Sequence, residues 1–361
     1  MLERRKSDMD FGTWLPSLDF LGTVIANPIL LIALLLSLAG VFVNGWTDAP
    51  NSIAICVATR CMRPRRALIM AACFDFLGVF IMSIVSGKVA GTMSKMLDFG
   101  SDSRIAMIAI CTGLIAVVVW AIVAWAFGLP SSQSHSLIAG ISGAAVAACG
   151  SFSAIKFDEW QKVIYGLVVS IAVGALLGWC YTKLMGLIFR RADRRRFDRP
   201  LKLAQIGSGA FVSFMHGAQD GQKFIAIFFI AACCSQGQSA GDFALPYWII
   251  LLIALVMGIG TATCGERIIK SVGMDMVKLE RYEAFSADFA GATCVLIATL
   301  TGLPISTTHA KTASIMGTGA SKRLSNVNWT VSKRLIYSWF IVFPFCGAIG
   351  YGLTWIATKV L

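Results

Sequence analysis

The sequence predicts an all-α polytopic membrane protein. Three observations carry this reading: long apolar runs without charge, a low overall charge content, and basic residues gathered into a few short loops. Of 361 residues, 57% are hydrophobic and only 14% charged, whereas soluble domains run near a quarter charged. Residues 105–127, 128–155, 243–265, 289–310 and 335–358 hold no Asp, Glu, Lys or Arg. A helix needs about 20 apolar residues to cross roughly 30 Å of hydrocarbon. Residues 67–87, 163–189 and the stretches around 28–58 and 203–241 qualify with one or two interruptions each. The total is about ten crossings or part-crossings.

The net charge of +12 would suit a nucleic-acid partner, but its distribution excludes one. Of 31 Lys and Arg, 19 sit in residues 60–66, 190–202, 266–281 and 322–334. That is the positive-inside pattern, and the partner it implies is a lipid bilayer. The expected location is the cell membrane, with many passes. The eleven cysteines lie almost all in apolar runs with no CxxC pair, which reads as small apolar filler. No metal site and no cofactor are expected. Residues 1–27 lack the shape of a signal peptide and read as an N-terminal interfacial segment.

Two pairs of segments recur in the same order. Asn44-Gly-Trp-Thr-Asp48-Ala-Pro-Asn51 pairs with His216-Gly-Ala-Gln-Asp220-Gly-Gln-Lys223 at an offset of 172 residues. Gly128-Leu-Pro-Ser-Ser-Gln-Ser-His135 pairs with Gly302-Leu-Pro-Ile-Ser-Thr-Thr-His309 at an offset of 174. Two pairs at nearly one offset argue for duplication. The first Asp motif precedes a loop with four Arg, the second precedes the uncharged residues 224–241. Equivalent segments therefore cross in opposite directions, as in an inverted-topology repeat. The expected organisation is repeat 1 at 28–189, a basic cytoplasmic linker at 190–202 and repeat 2 at 203–361. One feature dissents: the scheme leaves Arg4, Arg5 and Lys6 outside.

Asp48 follows sixteen uncharged residues and so lies at membrane depth, where a carboxylate costs about 2.5–3.5 kcal/mol on insertion scales. Asn44, Gly45, Pro50 and Asn51 surround it, which reads as a broken helix lining a cavity. Asp220, with Gly217, Gly221 and Gln222, is the second copy. The Gly-Leu-Pro segments each lead into hydroxyl-rich helix starts, Ser131, Ser132 and Ser134 in one and Ser306, Thr307 and Thr308 in the other. A helix N-terminus with adjacent hydroxyls suits an anion. Packing by small residues is the plainer alternative for the same segments. All three histidines, His135, His216 and His309, fall within the four motifs, which marks them as candidates for titration during transport. Asp75, Lys183, Lys223 and Lys311 are the other charges in or near apolar runs; Lys223 and Lys311 could balance a substrate or Asp220, and snorkelling or a structural ion pair is the equal alternative.

These stretches resemble the PiT family of inorganic phosphate transporters. The likeness rests on residues 44–54, 128–140, 213–224, 265–274 and 302–323 and covers nearly the whole chain from about Leu30. The resemblance implies an inverted repeat with substrate between two broken helices and two re-entrant hairpins. It implies import of phosphate by symport with H+ or Na+, with metal–phosphate complexes carried by some bacterial relatives and sulfate by others. The HGxxDGQK form is similar to bacterial proton-coupled, low-affinity members. A sulfate permease of the same fold is the alternative. Carried over by residue, the phosphate donors are Ser132, Ser134, Ser306, Thr307 and Thr308, with Asn51 and Gln222 as amide contributors. Asp48 and Asp220, with Asn44 and Gln219, form the coupling-cation or proton site. The family has Asn before the second Asp where this chain has Gln219, a methylene longer. The partners implied are phosphate, a coupling cation and the bilayer, and a homo-oligomer is compatible.

The chemistry requires the cation independently. An Asp about 6 Å from an anion, at an effective dielectric near 20, repels each unit of charge by roughly 3 kcal/mol. Two such Asp make an anion site untenable unless they are protonated or hold cations. An enzyme is not expected. Ser134-His135 and Thr308-His309 put a hydroxyl next to a histidine, but neighbours in a helix do not face each other, and no acid stands close by to orient the ring. A passive channel would need an open path rather than a pocket.

Overall fold

The computed structural model describes residues 18–100, 102–127, 131–190, 194–237, 245–263 and 276–360. Twelve α-helices run through them. The first half of the chain holds α2 (Pro28–Ala58), α3 (Pro64–Val85), α5 (Ser103–Ala126), α6 (Gln133–Cys149) and α7 (Phe157–Ile188), after a short α1 (Leu18–Ala26) and with the small α4 (Lys88–Lys95) between α3 and α5. The second half follows with α8 (Arg194–Gln236), α9 (Tyr247–Ala262), α10 (Arg281–Thr301), α11 (Thr307–Lys322) and α12 (Trp329–Val360). Among the described residues α2, α3, α5, α7, α10 and α12 are long and apolar enough to cross a membrane, and α9 is a shorter apolar helix.

Local chemistry sets the ends. Asn27 caps α2 by accepting from the Ile29 and Leu30 N–H groups, with Pro28 at the first helical position. Asp102 caps α5 through the Arg104 and Ile105 N–H groups. α10 starts on a capping box of Glu280 and Glu283 and stops at Gly302, whose φ of +76° closes the turn into α11. α6 and α11 have 17 and 16 residues, about 25 Å at 1.5 Å per residue, short of the bilayer core. Their first turns are buried in the protein, as re-entrant hairpins require.

The expected breaks at the two Asp motifs do not interrupt the helices. α2 continues through Asp48 and Pro50, and α8 through Asp220. Pro50 deprives only the Trp46 carbonyl of its donor. Thr47 and Ser52 hydroxyls donate to the Val43 and Ala49 carbonyls beside it, at 2.8 and 2.7 Å, which holds the turn together. The basic segment expected as a linker is helical from Arg194 and runs straight into α8; residues 191–193 lie outside the described residues, as do 1–17 of the N-terminal segment and the Gly128-Leu129-Pro130 start of the first hydroxyl motif.

Helix packing repeats as the order does. α6 packs on α12 and α11 on α7; α5 packs on α12 and α10 on α7; α2 packs on α9 and α3 on α8. Each of these contacts has its partner on exchanging the two halves of the chain. The tightest approaches use small residues. Gly143 and Gly140 of α6 meet Gly347 and Gly350 of α12, while Gly317 and Ser314 of α11 meet Ala175 and Gly178 of α7. α2 and α8 themselves run antiparallel. Asn44 Nδ2 donates to Asp220 Oδ2 at 3.4 Å, Ser213 Oγ to Ser52 Oγ at 3.0 Å and Cys56 Sγ to the Gln205 carbonyl at 3.4 Å, so one number rises as the other falls.

Candidate functional site

The first turns of α6 and α11 meet the middles of α2 and α8 in a buried polar cluster. Ser132 and Ser306 cap the two short helices by accepting from the His135 and His309 N–H groups at 3.3 and 3.2 Å. That use of the oxygen leaves each hydroxyl hydrogen free to donate elsewhere. The α6 cap directs a helix N-terminus, with its partial positive charge, at a carboxylate through the Gln133 N–H, and the α11 cap places the Thr307 and Thr308 hydroxyls there.

Asp48 Oδ2 accepts from the Gln133 backbone N–H at 3.3 Å and from Thr308 Oγ1 at 3.2 Å. Asp220 accepts from Ser134 Oγ at 3.1 Å, Thr307 Oγ1 at 3.2 Å and Asn44 Nδ2 at 3.4 Å. Asn51 Nδ2 donates to Thr308 Oγ1 at 3.3 Å. All of these side chains are buried. Each carboxylate is thus held by one residue of its own repeat's hairpin and one of the other's. Lys223 Nζ lies 2.7 Å from Asp220 Oδ1. His216 stands between two acids, Nδ1 3.0 Å from Asp75 and Nε2 3.5 Å from Asp220, and Thr261 Oγ1 donates to the other Asp75 oxygen at 2.6 Å. Asp48, His216 and Asp220 each bring a ligand atom within 4.8 Å of the others, a grouping that can take a cation and that the sequence, read without a metal site, does not announce.

Hydroxyl donors that now satisfy carboxylates can turn to an anion once those carboxylates are neutralised. The cluster therefore has the parts to hold an oxyanion and a cation together. Comparison with known proteins decides the family. The model of the phosphate transporter family matches residues 44–350. The chain belongs to that family.

Among this phosphate transporter's relatives, a probable low-affinity inorganic phosphate transporter of Bacillus subtilis (strain 168) is 34% identical over 89% of this chain and 94% of its own. One of the same description from Rhizobium meliloti (strain 1021) is 33% identical over 89% and 94%. A solved structure titled "The sodium-dependent phosphate transporter" superposes with a TM-score of 0.85 at 24% identity, covering 93% of this chain and all of that one; it shows the shared fold. The protein is a multi-pass phosphate transporter of the cell membrane and not an enzyme. Nothing in the family or these relatives supports the sulfate alternative.

The transporter's remaining candidates fall at varying distance from the cluster's centre. Gln219 reaches across to the hairpin, donating to the Leu303 carbonyl at 2.8 Å and accepting from Thr299 Oγ1 at 2.7 Å. Gln222 donates to the Met82 carbonyl of α3 at 3.2 Å rather than to the hydroxyl group. His135 and His309 pack on each other, ring centroids 4.3 Å apart, and on Phe343 and Trp339. Of the three histidines, His216 is the one set between carboxylates. Asp75, which holds it, and Thr261, which bonds Asp75, carry no motif. Asp75's isolation in an apolar run was the signal available.

Proposed function

We propose that this phosphate transporter imports inorganic phosphate by symport with a monovalent cation, H+ or Na+. Phosphate binds where the α6 and α11 N-termini meet, with Ser132, Ser134, Ser306, Thr307, Thr308 and Asn51 as donors and Asp48 and Asp220 on the cation side. The observation that carries the reading is the sharing of hydroxyls: Ser134, Thr307 and Thr308 sit within 3.2 Å of carboxylate oxygens. An anion that recruits those donors takes the hydroxyl hydrogen bonds away from both carboxylates, and Asp48 then keeps only the Gln133 N–H, so a cation must arrive with it. We further infer that the two repeats are inverted across the membrane. The antiparallel course of α2 and α8 at matching positions supports this, as does the basic residue distribution.

The test is uptake of labelled phosphate into proteoliposomes holding the purified full-length chain, under imposed Na+ or pH gradients. The expected result is gradient-driven uptake with either ion, blocked by arsenate and poorly by sulfate, because a carboxylate can accept from a protonated oxyanion and not from sulfate. Uptake indifferent to both gradients would overturn symport. A metal–phosphate complex as cargo is the second reading, favoured by the Asp48, His216 and Asp220 grouping; it requires that a divalent-metal chelator abolish uptake.

A further inference from the structure

Asn51 and Lys223 occupy matching places, each three residues after its repeat's Asp and 172 residues apart. Their contacts match as well. Asn51 Nδ2 donates to Thr308 Oγ1, and Lys223 Nζ donates to Ser134 Oγ at 2.6 Å; Thr308 and Ser134 are themselves equivalent, 174 residues apart. Lys223 goes further. Its Nζ also meets Asp220 Oδ1 at 2.7 Å and the Ile305 carbonyl at 2.5 Å. Three oxygen acceptors use all three N–H groups of an ammonium. The side chain is 1% exposed, so it does not reach along the helix for water as a snorkelling lysine would.

A carboxylate, a hydroxyl and a backbone carbonyl converging on one point are also the oxygen set a hard cation takes. In repeat 1 the matching carboxylate and hydroxyl, Asp48 and Thr308, stand 3.2 Å apart. The residue beside them is an uncharged amide, and among the described residues no Lys or Arg pairs with Asp48. The duplication therefore leaves two cation places of which one is filled by the chain itself.

We propose that Lys223 is a resident cation: its ammonium fills the repeat 2 place, and only the Asp48–Thr308 place takes an exchangeable cation. Lys223 thereby sets the number of cations that accompany each phosphate, one fewer than the duplicated site could hold. The inference rests on the symport reading above.

The test replaces Lys223 by the residue its counterpart carries. Lys223→Asn, with Lys223→Gln beside it, is purified as the full chain and reconstituted, and the reversal potential of phosphate flux is measured under fixed Na+ and pH gradients. The expected result is a shift equal to one additional monovalent cation per phosphate relative to the unaltered protein. For a variant that binds but does not transport, the readout is Na+ and H+ equivalents taken up by the purified protein, expected to rise by one. A coupling ratio, or a count of bound cations, equal to that of the unaltered protein overturns the proposal. Absence of gradient-driven uptake in the unaltered protein would instead defeat the symport reading, and this inference with it.

Discussion

Asp48 and Asp220 stand at matching places in α2 and α8, and matching positions of the hairpins hold each of them. Gln133 and Thr308 bond the first, Thr307 and Ser134 the second. Around that common frame the two halves diverge in charge. Repeat 2 brings Lys223 and His216 to its acid; the counterparts in repeat 1 are Asn51 and Asn44. The backbone frame of a duplicated site is fixed by helix caps and small-residue packing, which both copies retain. The charge inside it is free to vary, so the two carboxylates can be assigned to different tasks: one neutralised by the chain, the other dependent on what arrives from solution.

The comparison presumes inversion, and that is the first thing to break. In a cysteine-free background, single cysteines at Ile25 and Gln236, exposed near the start of α2 and at the end of α8, are expected to react with an impermeant maleimide in intact cells. Cysteines at Arg60 and Arg199 are expected to be protected until the membrane is opened. The contrast is all-or-none. Labelling of Arg199→Cys together with Gln236→Cys in intact cells would remove the inverted arrangement, and with it the equivalence of the two acids.

The next contrast is between the acids. Asp220→Asn leaves Lys223 buried without its carboxylate, and breaking such a pair costs on the order of 3–5 kcal/mol. Asp48→Asn removes a buried charge that, among the described residues, no Lys or Arg pairs with, and Asn retains an acceptor oxygen for Gln133 and Thr308; its unfolding free energy is expected within about 1 kcal/mol of the unaltered protein. Both variants are expected to lose coupled phosphate uptake. Thermal unfolding of the purified proteins separates them. Equal destabilisation would mean that the two halves are electrostatically alike.

Much of this site is legible in the sequence because its chemistry sits in short, repeated motifs. Membrane depth makes a carboxylate conspicuous, and the offset between the matching motifs brings Asp48, Asp220 and the Ser and Thr clusters into register by position alone. The partners contributed by single residues are not legible. Asp75 of α3 holds His216 and is itself held by Thr261 of α9, and nothing in their neighbourhoods repeats. The buried ion pair of Lys311 and Asp288, with Gln205 donating to Asp288 at 2.5 Å, depends on how α8, α10 and α11 cross; the matching positions in repeat 1 are Leu114 and Leu137, so the repeat gives no hint of it. The continuity of α2 through Pro50 is hidden from the sequence for a related reason. Gly, Pro and Asn lower helix propensity locally, but packing on α8 and α9 and the hydroxyls of Thr47 and Ser52 outweigh that preference.

Gln219 offers the finest test of the comparison. Its counterpart in repeat 1 is Thr47, whose hydroxyl folds back onto the Val43 carbonyl of its own helix at 2.8 Å. Gln219 instead spans to the second hairpin and makes two bonds there, to the Leu303 carbonyl and Thr299 Oγ1. A side chain one methylene shorter cannot keep both, so Gln219→Asn is expected to cost about 1 kcal/mol in unfolding free energy, against a few tenths for Thr47→Ser, which retains its bond. The lost bond loosens the turn that leads into Thr307 and Thr308, and those hydroxyls bond Asp220 and Asp48. The expected kinetic signature is a shifted half-saturating cation concentration with phosphate uptake retained and its own half-saturation unchanged. If phosphate half-saturation moves while the cation dependence stays fixed, Gln219 seats the anion, and the two halves differ in how they hold substrate as well as in charge.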